Sequence, residues 1–291
     1  MRKLLLWLFW VFSLPGVSQT FTLPEIPDNL CNDREMKEYV VIHYWDNYNF
    51  IDPSVFVDGD GVLDYFRLLY DVPYSVSDES IFRTLGKASE NNQIFSLFID
   101  AYRVYLMNPE SYFCDYERYQ AVVEFVMANE RIPQSKKRDF LYEESIIFTN
   151  RVGEKANNFK VSDKNNNRLE LWNIESEYLI VFFHNPRCGI CLETKEKLSN
   201  SLIINEMISS GRLTVFSVCP YDEYDSWTAT EYPNLWLNGF DIDGEINGNQ
   251  WYYFLNSSSL YLLDKDKRVL KKDVRFDLLE NYLIEIETMA Q

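Results

Sequence analysis

The stretch YLIVFFHNPRCGICLETKEKLSNSL, from Tyr178 to Leu202, constrains the fold more than any other part of the chain. Its apolar run from Tyr178 to Phe183 is too short for a helix of its own, and its aromatic and β-branched content fits a strand covered on both faces. Asn185 and Pro186 break that strand. Beyond them Cys191, Leu198 and Leu202 recur at helical spacing, while Glu193 and Lys197 form a favourable i,i+4 pair on another face. The pattern predicts strand, tight turn and helix, with Cys188 in the first helical turn.

A helix start suits thiol chemistry, because its unsatisfied amides and positive dipole end favour a thiolate over a thiol. Cys188 is then the outer, attacking sulfur. The helical phase turns Cys191 inward, two residues further on, close enough to bridge and shielded enough to resolve a mixed disulfide. A single Cys-x-x-Cys also fits a structural disulfide or half of a four-ligand zinc site. Only His43 and His184 add nitrogen ligands and there is no second such pair, so the favoured reading is a redox pair, a redox-active disulfide when oxidised, with no metal and no cofactor.

The chain carries 28 basic against 45 acidic side chains over 291 residues, a field that repels phosphate backbones and anionic lipid and argues against nucleic acid as a partner. At the amino terminus Arg2 and Lys3 precede an uncharged apolar run, Leu4 to Val17, with small residues Gly16 and Ser18. This pattern predicts a signal peptide over residues 1–18, since the run falls short of the roughly 20 residues that span a bilayer. Cleavage leaves no stable membrane span and an exported, periplasmic protein. In an oxidising compartment a reduced dithiol needs a dedicated donor. Cys31 and Cys114 are read either as a bridge or as inert thiols, and Cys219 as a core residue ending a strand.

From about Asn32 to Arg151 the spacing is helical: Ile81, Leu85 and Ala88 mark one face, Ile94, Leu97 and Phe98 another, Val122, Val123 and Val126 a third. Ser77, Asp78 and Glu79 are read as a helix start, Pro133 as a first-turn residue, and Asp58-Gly-Asp-Gly-Val as a turn rather than a calcium loop. Tyr102, Tyr105, Tyr112, Tyr116 and Tyr119 are read chiefly as core. Helical patterning stops near Val152, so the expected domains are a helical one over 19–151 and an α/β one over 152–291. In the latter, Phe159–Val161 and Leu169–Leu171 read as a hairpin and Leu213–Val218 as a strand parallel to the first. Residues 221–250 read as an insertion, Leu260–Leu263 and Val269–Leu270 as a closing hairpin, and Phe276–Ile286 as a last helix.

Gly153-Glu-Lys-Ala-Asn-Asn-Phe, the strand, Cys188-Gly-Ile-Cys191, and Leu260-Tyr-Leu-Leu-Asp-Lys-Asp-Lys-Arg-Val together resemble the thioredoxin-like fold of the TlpA/ResA type, exported bacterial thiol-disulfide oxidoreductases. The resemblance covers about residues 152–291. The helical region resembles a domain of unknown function found ahead of such modules. The resemblance implies an α/β thioredoxin-like carboxy-terminal domain behind an all-α amino-terminal one, with Cys188 attacking and Cys191 resolving. Its implied partners are exported protein disulfides and a thiol electron donor. Two positions depart from the pattern. Ser258 stands where the family has a cis-proline lining the substrate groove, and a cis bond there costs roughly 3 kcal/mol, which predicts a trans peptide. Phe182 stands where thioredoxins proper bury an acid, leaving Glu193, His184 or water to move the proton of Cys191. These departures keep a rival open, a redox-inactive thioredoxin-fold module that binds a peptide or protein.

Overall fold

The computed structural model describes residues 22–51, 59–254 and 258–290. The expected leader lies outside the described residues, and so do Asp58 and Ser257, on which the readings of the glycine-rich segment and of the peptide before Ser258 partly rest. Chain contacts separate two compact units, Met1–Tyr105 and Leu106–Gln291.

The first unit is helical: α1 (Asp33–His43), α2 (Gly59–Tyr70), α3 (Tyr74–Ala88) and α4 (Asn92–Tyr102). Asn32 caps α1 by accepting from the Glu35 amide at 2.8 Å, and Asn91 caps α4 through the Gln93 and Ile94 amides. Such caps satisfy amides that the helix itself leaves unpaired. Two expectations are corrected here. The segment read as a turn opens α2, where Val62, Tyr65, Phe66 and Leu69 form one buried stripe whose burial outweighs the cost of the two glycines. Helix α3 starts at Tyr74 behind Pro73, and Ser77 is fully buried, donating to the Tyr74 carbonyl at 2.8 Å. Of the tyrosines read as core, Tyr102, Tyr116 and Tyr119 are buried, Tyr105 is half-buried and Tyr112 is exposed; Tyr65 bonds both Ser80 and Tyr102 at 3.0 Å, and Ser80 donates to the Val41 carbonyl.

The second unit starts with two helices, α5 (Tyr116–Ala128) and α6 (Gln134–Phe148), with Asp115 and Pro133 at their N-caps. Helical patterning stops at Phe148, yet contacts group both helices with the sheet that follows. The reason is polar. Lys272 Nζ donates to the carbonyls of Ile146, Ile147 and Thr149 at 2.6 to 3.2 Å, capping the end of α6, where a cation also meets the negative end of the helix dipole. Tyr116 donates to Asp273 at 3.1 Å, and Asn150 to the Trp251 carbonyl at 2.8 Å.

Among the described residues seven strands form one mixed sheet in the order β2-β1-β5-β4-β3-β6-β7. They are β1 (Lys160–Ser162), β2 (Arg168–Glu170), β3 (Tyr178–Phe183), β4 (Leu213–Cys219), β5 (Leu237–Phe240), β6 (Ser259–Asp264) and β7 (Val269–Lys271). The hairpins β1–β2 and β6–β7 and the parallel pair β3–β4 are as the sequence predicts. Strand β3 is central, parallel to β4 and antiparallel to β6, and its side chains alternate between two cores. Leu179, Val181 and Phe183 join Phe159, Phe216 and Tyr261 on one face. Ile180 and Phe182 join Cys191 on the other, under α7 (Gly189–Asn200), α8 (Leu202–Ser209) and the final helix α11 (Phe276–Ala290).

The apparent insertion is part of the sheet. Residues 221–250 contain α9 (Tyr224–Ala229), β5 parallel to β4, and the single turn α10 (Glu245–Gly248). Gly239 is what disguises β5: a Cβ there would lie 2.1 Å from Val161 Cγ2, so the close approach of β1 requires glycine. The cysteine helix is also shorter than expected. It ends at Asn200, Ser201 caps α8, and Leu202, placed on the buried face by its spacing, is 80% exposed.

Candidate active site

The site lies at the end of β3, where the chain leaves the sheet. Asn185 shapes the turn: its side chain accepts from the Arg187 amide at 2.8 Å and its carbonyl from the Cys188 amide at 3.0 Å. That Asx turn sets Cys188 as the N-cap of α7 with extended backbone, its carbonyl accepting the first helical bond from Leu192. Cys188 is half-buried. One turn on, Cys191 is 1% exposed and packs with Phe182 and Leu198. Its sulfur accepts the Asn185 amide at 3.4 Å and meets the Cys188 thiol. Burial, only partly offset by that amide, pushes the Cys191 thiol up to about 12. The geometry thus separates an accessible sulfur at a helix start from a protonated one in the core.

Burial pushes Cys219 up to about 11, and its thiol donates to the Tyr221 carbonyl.

The two side chains suggested as proton carriers have other neighbours. His184 is 3% exposed, stacked on Phe182 at 4.8 Å, with Nε2 2.8 Å from Ser217 Oγ. Burial, with Lys195 adding to it, drives its pKa down to about 3, so the ring is neutral. Glu193 lies two residues from Cys191, hence on the opposite side of α7, and pairs with Lys197 at 2.7 Å. That bond, with the attraction of the Lys197 charge, holds its carboxyl below the usual range.

Ser258 does border the site. Its hydroxyl donates to Thr194 Oγ1 of α7 at 3.2 Å, and both line a cavity of about 420 Å³ together with Ile190 and Glu193. The far wall holds Asp273, which sequence reasoning missed because Lys271-Lys272-Asp273 reads as an ordinary polar turn. Asp273 is 3% exposed, and Oδ1 has no hydrogen-bond partner. Burial pushes its carboxyl up to about 6 even though Ser259 lies close enough to oppose the shift and Tyr116 donates to Oδ2. Among the described residues no group of three or more acidic, histidine or cysteine side chains is arranged to hold a metal ion.

The fold is shared along nearly the whole chain with a solved structure. A thioredoxin-like protein from Bacteroides caccae is 32% identical, with 92% of this chain and 99% of that one covered and a TM-score of 0.84. The chain belongs to the thioredoxin-like family. The C-terminal domain of an uncharacterized protein from Bacteroides fragilis is 35% identical over 47% of this chain and 99% of that one, with a TM-score of 0.46. The thioredoxin domain of a thiol-disulfide oxidoreductase from Bacteroides vulgatus is 19% identical over 46% of this chain and 96% of that one, with a TM-score of 0.41. The amino-terminal part of this thioredoxin-like chain, residues 12–149, matches a domain of unknown function, DUF5106. No curated protein matches.

Proposed function

We propose that the protein is an exported thiol-disulfide oxidoreductase that reduces or exchanges disulfides of other exported proteins through Cys188 and Cys191. The observation that carries this reading is the contrast between the two sulfurs: Cys188 at the N-cap of α7, Cys191 buried one turn below it. The Cys188 thiolate attacks one sulfur of a substrate disulfide; the substrate S–S bond breaks and its other sulfur leaves as a thiolate that takes a proton from water. Cys191 then gives its proton to water and attacks Cys188, releasing the second substrate thiol. Two electrons have passed to the substrate, and the pair has become a disulfide that a thiol donor in the same compartment must reduce. Export rests on the leader pattern of residues 1–18. Among the described residues no helix is long and apolar enough to cross a membrane.

Trapping tests this directly. In Cys191→Ser, attack begins and cannot finish, so mixed disulfides through Cys188 accumulate and are seen by non-reducing electrophoresis and mass spectrometry. Iodoacetamide should label Cys188 well before Cys191, whose thiol is protonated at neutral pH. Absence of adducts, with both thiols labelling slowly, would favour the rival that the fold binds polypeptide without exchanging electrons. Ser258 at the family's cis-proline position and the apolar Phe182 at that of its buried acid are what keep that rival in play.

A further inference from the structure

Two hydroxyls beside the cysteine turn form a relay with a fixed direction. Thr194 Oγ1 lies 2.9 Å from the Ile190 carbonyl, one turn back along α7, and a carbonyl only accepts, so the single Thr194 proton is used there. Ser258 Oγ lies 3.2 Å from Thr194 Oγ1 and must therefore be the donor to it. The chain of bonds runs from Ser258 through Thr194 to Ile190, which stands between Cys188 and Cys191. It thus ties the residue before β6 to the cysteine turn itself.

The rest of β6 is held differently. From Ser259 onward the strand pairs with β3, beginning at Phe183, and on its other side the Val274 amide donates to the Leu260 carbonyl at 2.9 Å. The Ser258 hydroxyl adds a cross-link from the entrance of the strand to α7, 64 residues away in the chain. Ser258, Thr194 and Ile190 also line the same cavity of about 420 Å³, and Ile190 is 58% exposed two residues from Cys188. A polypeptide joined to Cys188 through its own cysteine carries its flanking residues past this wall, since each residue spans only about 3.5 Å.

We propose that Thr194 and Ser258 are positioning residues for the polypeptide substrate: their hydroxyl relay clamps the entrance of β6 to the cysteine helix and so fixes the wall against which the chain flanking the substrate cysteine lies. The inference rests on the oxidoreductase reading and adds two residues to it, neither of which moves electrons. Thr194 acts through Ser258, because its own proton is committed to Ile190 and its oxygen is what holds the serine. Loss of either hydroxyl breaks the same link, so the two losses should not add. A small disulfide has no flanking chain to place and should not sense the relay.

The test uses the full chain in its reduced form, mixed in single turnovers with excess insulin, a polypeptide disulfide, or with hydroxyethyl disulfide, and acid-quenched for mass spectrometry. Thr194→Val and Ser258→Ala should each raise the half-saturating insulin concentration about fivefold, as expected for one neutral hydrogen bond, with the limiting rate and the rate on hydroxyethyl disulfide as in the wild type. The double variant should be no worse than either single one, and Thr194→Ser, which keeps the hydroxyl, should match the wild type. Thermal melting identifies a variant that does not fold; if Thr194→Val is one, Ser258→Ala is read by the same two disulfides. An insulin half-saturation that does not move overturns the proposal, as do additive losses or equal slowing on both disulfides. A wild type that attacks neither disulfide sinks the redox reading and the relay's role with it, whereas a wild type that attacks both while the variants match it on insulin sinks the relay alone.

Discussion

The two units each hold a carboxylate among charged neighbours, and they treat it in opposite ways. In the helical unit Asp46 is about a quarter exposed and fully served: Arg83 donates to it twice, at 2.8 and 2.7 Å, Lys87 at 2.7 Å, and His43 stands at 2.7 Å. Burial pushes its carboxyl up, but these hydrogen bonds outweigh burial and hold it well below the usual carboxylate range. In the sheet unit Asp273 has only the hydroxyls of Ser259 and Tyr116 and the charge of Lys272 to oppose the shift, and burial wins. A carboxylate surrounded by donors fastens its own helices together. One that is buried with few donors weakens the fold.

The comparison breaks most severely if the elements around Asp273 are cut away. A fragment of residues 152–291 loses both Tyr116 and the α6 carbonyls that hold Lys272 and exposes the surface that these helices cover, so it should melt well below residues 106–291, which should melt as one unit. Calorimetry on the two fragments decides it, and equal melting temperatures would dissolve the distinction.

Replacing each acid comes next. Asp46→Asn should destabilise the first unit by about 2 kcal/mol at pH 7, measured by urea denaturation. Since the folded pKa of Asp46 is lowered, its contribution is present above the unfolded value and is lost as pH falls through the folded one, so the mutant and wild type should converge in strong acid. Asp273→Asn should do the reverse and stabilise the second unit by about 1 to 2 kcal/mol at pH 7.5. A folded pKa raised from 3.8 to about 6 contributes stability below the unfolded value that is lost as pH rises through 6, so the gain should vanish below about pH 4. A mutant less stable than the wild type at pH 7.5 would show that Asp273 is structural.

The smallest effect sharpens the contrast. Tyr116→Phe removes the bond to Asp273 Oδ2 and should cost about 1 kcal/mol at neutral pH. By withdrawing a donor it should also move the titration of Asp273 further up, visible by carbon-detected NMR of the carboxyl.

The sequence by itself determined the segments whose periodicity is unambiguous. The run from Tyr178 to Phe183 can bury both faces only as an inner strand, and the breakers Asn185 and Pro186 fix where it ends, so the dithiol at the start of a helix was legible from local chemistry alone. The hairpins around Asp163 and Asp264 were legible for the same reason, polar turn residues between short apolar runs. Tertiary structure decided what periodicity does not encode. Strand β5 is invisible in a polar segment because Gly239 gives up its side chain to let Val161 in. Leu202 faces water because Ser201 ends one helix and caps another at a point where apolar spacing continues. Helices α5 and α6 read like the four before them, yet they belong to the sheet unit, because a few buried polar contacts choose a partner where an amphipathic stripe only demands one. Asp273 and His184 carry no local mark at all: a carboxyl near pH 6 and an imidazole near pH 3 are properties of burial, and burial is set by residues far away in the chain.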